Sequence, residues 1–320
     1  MAQHFLLSAG ARTLSLKAIF RMSDDEAHAA FVAIRFADNG GAAFCPHCQC
    51  TAVYTYTARR IWKCKACEKQ FSVTSGTIFA SRKLAIRDYL AAIAIFVNAV
   101  KGISALQLGR DLDVQYKTAF VLAHKIREAI GAEQASGGPL SGVVEVDGAY
   151  FGGHAKLANN KVNRAGGRAA AQAKRQSVVV ARERDGRTKT WVVAKEADGV
   201  ALVRQNVAMG SVVHADEAAG WDALHARYEM HRINHSVAFS KDGACTNQAE
   251  SFFSRLRRAE IGQHHHISGK YLSLYAAEMA WREDRRRVAN GGLHHAATAA
   301  ALSHPVSRVW AGYWQRQAVR

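Results

Sequence analysis

The sequence predicts an α/β multidomain protein, and three observations carry that expectation. Two C-x2-C pairs stand near the N-terminus with 15 residues between them. The apolar pattern then changes to helical spacing. Beyond a Gly- and Ser-rich stretch, short β-branched runs end in acids and are followed by a helix. At 320 residues and 49% hydrophobic content, the chain is long enough for two or three cores. With 43 Lys plus Arg against 26 Asp plus Glu, the formal net charge is +17, which draws polyanions and makes nucleic acid the first partner to consider.

Residues 1–40 read as an N-terminal helical segment and 41–74 as a zinc ribbon. Cys45 and Cys48 form a CPHC knuckle, and Cys64 and Cys67 form a CKAC knuckle. Each C-x2-C places two thiolates on one tight turn. The alternating Val53, Tyr54, Tyr56, Ile61 and Trp62 let the intervening chain fold back as a hairpin and complete a tetrahedron for structural Zn2+. Two disulfides or redox pairs would be the other use of these thiols, and a cytoplasmic setting disfavours them. Cys50, Cys245 and His47 are spare candidates. Arg59, Arg60, Lys63, Lys65 and Lys69 outnumber Glu68 around the knuckles, so the ribbon can touch phosphate.

Residues 75–130 follow as a helical, helix-turn-helix-like segment. Leu90, Ile93, Ala94 and Val97 fall on one helix face, as do Ala119, Leu122, Ala123 and Ile126 in the stretch from Gln115 to Ile130. If ISALQLGRDL and that stretch are two helices with a short join, Gln115, Tyr116, Lys117 and Thr118 open a recognition helix, with Lys125 and Arg127 on phosphates. An ordinary helical hairpin with a solvated charged face fits the same pattern. GAEQASGGPLS, residues 131–141, reads as a linker.

Residues 142–287 read as the catalytic α/β domain, with 288–320 as a C-terminal tail. Val143 to Val146 ends at Asp147; Ser177 to Ala181 and Thr190 to Ala194 flank the turn Asp185-Gly186; Val212 to Ala215 ends at Asp216; Asn247 to Arg258 is a helix carrying Glu250. Acids at strand ends followed by a helix with a third acid suggest a ribonuclease-H-like sheet. Asp147, Asp216 and Glu250 would suit phosphodiester cleavage, in which two hard cations about 3.5 to 4 Å apart are held by carboxylates. Each acid also has a local explanation. Asp147-Gly148 is a hairpin-turn dipeptide, Asp216 can cap a helix, and Asn247 with Glu250 can form a capping box. Glu145 shares the face of Asp147 and is either an auxiliary acid or a solvated edge charge.

Three basic stretches flank these acids. His154 to Arg175 holds Lys156, Lys161, Arg164, Arg168, Lys174 and Arg175 without an acid, and reads as a loop waiting for phosphate. Arg255, Arg257 and Arg258 form a second stretch and Arg282 to Arg287 a third, together suggesting a DNA channel. The longest apolar run, Tyr89 to Val100, is broken by Asn98 and is shorter than the roughly 20 residues of a membrane span; with no clear signal sequence, a cytoplasmic location is expected.

The ordered set CPHC, CKAC, GTIFASRKL, VEVDGAYFGGH, HADEAAGW and TNQAESFFSRLRRAEIGQHHHISGKYLSLYAAEMAWR resembles the zinc-ribbon DDE transposases of the ISXO-like insertion-sequence group, from about Phe44 to Arg287. The resemblance implies that Asp147, Asp216 and Glu250 are metal ligands, with Asn247 as a secondary candidate, and that His264 to His266 lie toward the active-site end. It implies Mg2+ at the catalytic site, with Mn2+ able to substitute. It further implies double-stranded DNA partners, namely element terminal repeats and target, and a homo-oligomer on DNA. Two departures stand out: Gly148 occupies a position that is often acidic in the group, and Arg257 one that is often Lys, which presents a different phosphate contact. A DNA-binding regulator without turnover and a nuclease without strand transfer are the alternative readings.

Overall fold

The computed structural model describes residues 5–153, 172–233 and 245–317, which divide into two compact units, 1–132 with 287–320, and 133–286. Among the described residues no helix is long and apolar enough to cross a membrane.

In the first unit, α1 (Leu16–Arg21) and α2 (Asp24–Arg35) precede the ribbon. Ser23 and Glu26 form a capping box at the start of α2, satisfying N–H groups the first turn leaves open. Strands β1 (Val53–Tyr56), β2 (Ile61–Cys64) and β3 (Gln70–Ser72) form an antiparallel sheet in that order. Trp62 stacks on its cross-strand partner Phe71 at 5.6 Å and meets the edge of Phe36 at 5.8 Å, tying the ribbon to the end of α2. Arg35 donates to the carbonyls of Ser72, Val73 and Ser75, fixing the exit from β3.

Helices α3 (Ile86–Asn98), α4 (Ala105–Asp111) and α5 (Tyr116–Ala135) follow. Residues 112–115 join α4 to α5 through Asp113 in the left-handed region (φ 51°), and Gln115 to Thr118 are exposed. Arg127 does not serve phosphate. It is 1% exposed, donates to the Ile103 carbonyl and lies over an aromatic ring, its guanidinium carbon 5.4 Å from the Phe96 ring centre. Helix α5 also runs five residues into the expected linker 131–141, because GAEQA continues the helix until Ser136 donates back to the Glu133 carbonyl.

The expected tail 288–320 is folded over its described residues, 288–317. Helix α9 (Asn290–Ser303) packs on α3, where His294 Nε2 hydrogen-bonds the Leu90 carbonyl at 3.0 Å. The Asn290 carboxamide oxygen accepts the N–H groups of Thr13 and Leu14, and α10 (Tyr313–Gln317) ends the described chain.

The second unit is a five-stranded sheet of order β6-β5-β4-β7-β8: β4 (Val143–Gly152), β5 (Arg175–Glu183), β6 (Thr188–Val193), β7 (Val212–Asp216) and β8 (Glu229–Ile233). Strand β5 runs antiparallel to both of its neighbours, β4 and β6, while β4, β7 and β8 are parallel. On one face Ala149, Phe151, Val178 and Val180 pack against Phe252, Phe253 and Leu256 of α7 (Asn247–Ala259) and Leu272, Ala276 and Ala280 of α8 (Gly269–Asp284). On the other, Val144, Val146, Val179, Ala181, Val213 and Ala215 pack against Trp221, Leu224 and Val203 of α6 (Gly199–Asn206). Burying each large apolar side chain contributes about 1.5–3 kcal/mol, so the two-sided sheet is well supported.

Candidate active site

The four knuckle cysteines converge. Their sulfurs all lie within 4.8 Å of one another, with Cys45 to Cys67 and Cys48 to Cys64 each 3.5 Å apart, and none is in a disulfide. A tetrahedron with Zn–S bonds of about 2.3 Å needs sulfurs about 3.8 Å apart, so the thiols fit zinc. Backbone N–H groups of Cys67 and Ala66 point at Cys64 and push its thiol down to about 6, favouring the thiolate. Cys50 lies outside the cluster, His47 is exposed, and Cys245 accepts from Arg184 at 2.7 Å in the other unit.

In the second unit Asp147 sits in mid-strand. β4 continues to Gly152, pairing Asp147 with Val180 and Gly148 with Val179, so Asp-Gly forms no hairpin turn here. Parallel pairing of β4 with β7 reaches only Val146↔Ala215, and Asp216 ends β7 one residue on. The two carboxylates therefore meet beside the end of β7. The Asp216 carboxylate also accepts the Ala218 N–H at 3.2 Å, but it caps no helix: the following 3-10 turn Ala219–Ala226 has Ala218 at its N-cap.

The sequence reading missed a third carboxylate here. Glu196, in the 3-10 turn Glu196–Asp198 after β6, brings a ligand atom within 4.8 Å of both Asp147 and Asp216. Its only local signal was acidity in a turn. Gly148 explains how it fits: a Cβ there would lie 2.5 Å from both Cγ and Cδ of Glu196, so the departure from an acidic residue at 148 coincides with an acid arriving from elsewhere. Burial, followed by the charges of Asp216, Glu196 and Glu250, pushes Asp147 up to about 7 against the pull of the Gly148 N–H. Burial and Asp216 raise Glu196 as well.

Glu250 is half-buried on α7 and acts on Asp147 through its charge, but it is not in the 4.8 Å group. Thr246 is the N-cap of α7, so Asn247 is its first residue and Glu250 its fourth, one place beyond the position a capping box uses. Glu145 takes the cap instead. Fully buried, it is neither a solvated edge charge nor one of the clustered acids. His264 packs edge-on against Tyr275 at 4.7 Å, and His265 and His266 are exposed.

The basic stretches divide. Lys156, Lys161, Arg164 and Arg168 lie outside the described residues. Arg255 and Arg286 pair with buried Glu283, Arg282 with Glu278 at 2.8 Å, and Arg285 with Glu133, so most of the later arginines hold the fold. Arg257 is exposed, 5.0 Å from the Phe151 ring centre. In the first unit Lys117 is exposed and lies 5.4 Å from the Trp314 ring centre, while the Trp314 indole donates to the Lys117 carbonyl.

Family models match the regions that hold both clusters. The model of the ISXO2-like transposase domain matches residues 139–284, and that of the transposase zinc-ribbon domain matches 22–70. An uncharacterized protein in transposable element ISH50 of Halobacterium salinarum is 29% identical over 110 residues, covering 33% of this chain and 36% of that relative. The match thus spans about a third of the relative's length. The chain thus carries, in order, a segment similar to the transposase zinc-ribbon domain and a segment similar to the ISXO2-like transposase domain, and the second contains Asp147, Glu196, Asp216 and Glu250.

Proposed function

We propose that the protein binds the terminal repeats of its element, hydrolyses a phosphodiester to free a 3′ hydroxyl and transfers that end to target DNA. We assign the second unit to the ribonuclease-H-like class on its strand order and directions. The observation that carries the function is the convergence of Asp147 and Asp216 where the sheet changes from antiparallel to parallel pairing. In open α/β sheets, crevices form beside strand ends where the strand order reverses, which here is between β4 and β7.

Carboxylate oxygens are hard donors, and like charges packed this closely favour a divalent cation. Asp147, Asp216 and Glu250 would hold Mg2+, with Mn2+ able to substitute. Two such ions would stabilise the attacking and leaving oxygens of the phosphate. The charges of Asp216, Glu196 and Glu250 all act on Asp147, so it would be central to holding these ions. The family reading gives duplex DNA as substrate and a homo-oligomer on DNA in the cytoplasm. Phosphate contacts come from Lys117, Arg257 and the stretch with Lys156, Lys161, Arg164 and Arg168.

The test is incubation of linear DNA carrying terminal repeats with the protein and Mg2+. Nicking at the repeat and joining of the freed end to a second duplex are expected. Binding without nicking would make the chain a regulator, and nicking without joining a nuclease.

A further inference from the structure

Glu196 reaches the centre from a different direction than Asp147. Neighbouring residues of a strand point to opposite faces, so Asp147 belongs with Ala149 and Phe151 on the α7 face, and the bare Cα of Gly148 looks toward the α6 face. The turn that carries Glu196 is fixed on that second face. The Lys195 N–H donates to the Asp198 carboxylate at 3.0 Å, and Gly199, starting α6, approaches Val179 so closely that a Cβ would lie 2.8 Å from its methyl group. Because β7 stops at Asp216, acids from both faces can meet beside β4.

A turn acid is ordinarily a solvated charge, and Glu196 departs from that in three ways. It is half-buried, its charge faces Asp147 and Asp216, and among the described residues no Lys or Arg acts on it. The indole of Trp221, which is fully buried and whose N–H makes no close hydrogen bond of its own, acts on Glu196 as a donor. Such a donor orients a carboxylate without neutralising it. A third negative charge in this position is unfavourable until a cation arrives.

We propose that Glu196 is a ligand of the divalent ion held by Asp147 and Asp216, and that position 148 is glycine because the Glu196 side chain fills the space of its Cβ. This rests on the reading that the centre holds divalent ions, and it leaves Glu250 to the second ion.

Mn2+ binding to the full-length, zinc-loaded chain without DNA tests it, read by the loss of the free-ion paramagnetic resonance signal. Glu196→Gln keeps the shape and removes the charge. It is expected to weaken Mn2+ binding by about ten-fold or more, the loss that even an outer partner of a metal ligand causes. Asp216→Asn should do the same. Gly148→Ala, which forces Glu196 aside, should weaken binding in the same direction and add little in the Glu196→Gln background, as expected for two changes acting through one contact. Without added divalent ions Glu196→Gln should unfold at or above the parent temperature, because repulsion is relieved. Parent-like Mn2+ binding by Glu196→Gln while Asp147→Asn and Asp216→Asn are weakened would overturn the assignment alone. Parent-like binding by all three would overturn the divalent centre with it.

Discussion

The Glu145 carboxylate accepts the backbone N–H of Gln248 at 2.8 Å and also that of Ala249 at 3.1 Å, so a buried acid two residues before Asp147 holds the first turn of the helix that carries Glu250. A negative charge at a helix N-terminus satisfies orphan N–H groups and complements the dipole. Arg184 balances it at 3.3 Å.

Glu145→Gln should therefore lower unfolding stability by about 1.5–3 kcal/mol, the range for hydrogen bonds to a charged group. Urea unfolding measures it. Cleavage should fall further than stability, since α7 places Glu250, while Mn2+ affinity at Asp147 and Asp216 should change little. An unchanged urea midpoint would show that the cap is dispensable.

Asp147 gives a pH dependence of a particular sign. Its carboxyl titrates near 7 in the fold against an ordinary 3.8. Between about pH 4 and pH 7 the folded state keeps a proton that the unfolded state has released, so its contribution to stability is lost as pH rises through that window. The effect is on the order of a few kcal/mol, at about 1.4 kcal/mol per unit. Thermal unfolding without added divalent ions should show the decline, and Asp147→Asn should flatten it. A parent whose stability is level from pH 4 to 7 would contradict the burial of this acid.

For the ribbon, one zinc per chain is expected, with Cys64→Ser losing it. Because Trp62, Phe71 and Phe36 pack beside the knuckles, metal loss should also expose the indole and shift its fluorescence to the red. Equal zinc in parent and variant would remove Cys64 from the ligand set.

What the sequence made legible follows from range. The knuckles, the β-branched runs before Asp147 and Asp216, and the α7 stripe of Ala249, Phe252, Phe253 and Leu256 are local patterns, and each appears in the structure as an element. Glu196 was not legible, because its meaning depends on Gly148 across an intervening strand. Strand β8, EMHRI, was missed because three of its five residues are charged or imidazole-bearing, and α9 because alanines and histidines give little apolar contrast. Arg127 was misread because a long basic side chain can be buried once a carbonyl and an aromatic face receive it.

The last prediction separates arginines that bind DNA from those that hold the fold. Duplex affinity should fall steeply with salt, with a log–log slope of about 0.9 per phosphate contact. Arg257→Gln should reduce that slope by about 1 without lowering stability, since the side chain is exposed and lies against a ring rather than a carboxylate. Neutralising Lys156, Lys161, Arg164 and Arg168 together should reduce it by about 3 to 4, if each meets one phosphate. Arg255→Gln should behave oppositely. Arg255 pairs with Glu283, which is also paired with Arg182 at 3.0 Å and Arg286 at 3.1 Å, so its loss costs about 1–3 kcal/mol of stability and leaves the slope unchanged. The two remaining arginines keep Glu283 compensated, which limits the loss. Affinity across a salt series and urea unfolding of the same preparations give both readouts. A slope that falls in Arg255→Gln as much as in Arg257→Gln would mean that DNA draws Arg255 away from Glu283, and the division of these arginines would be wrong.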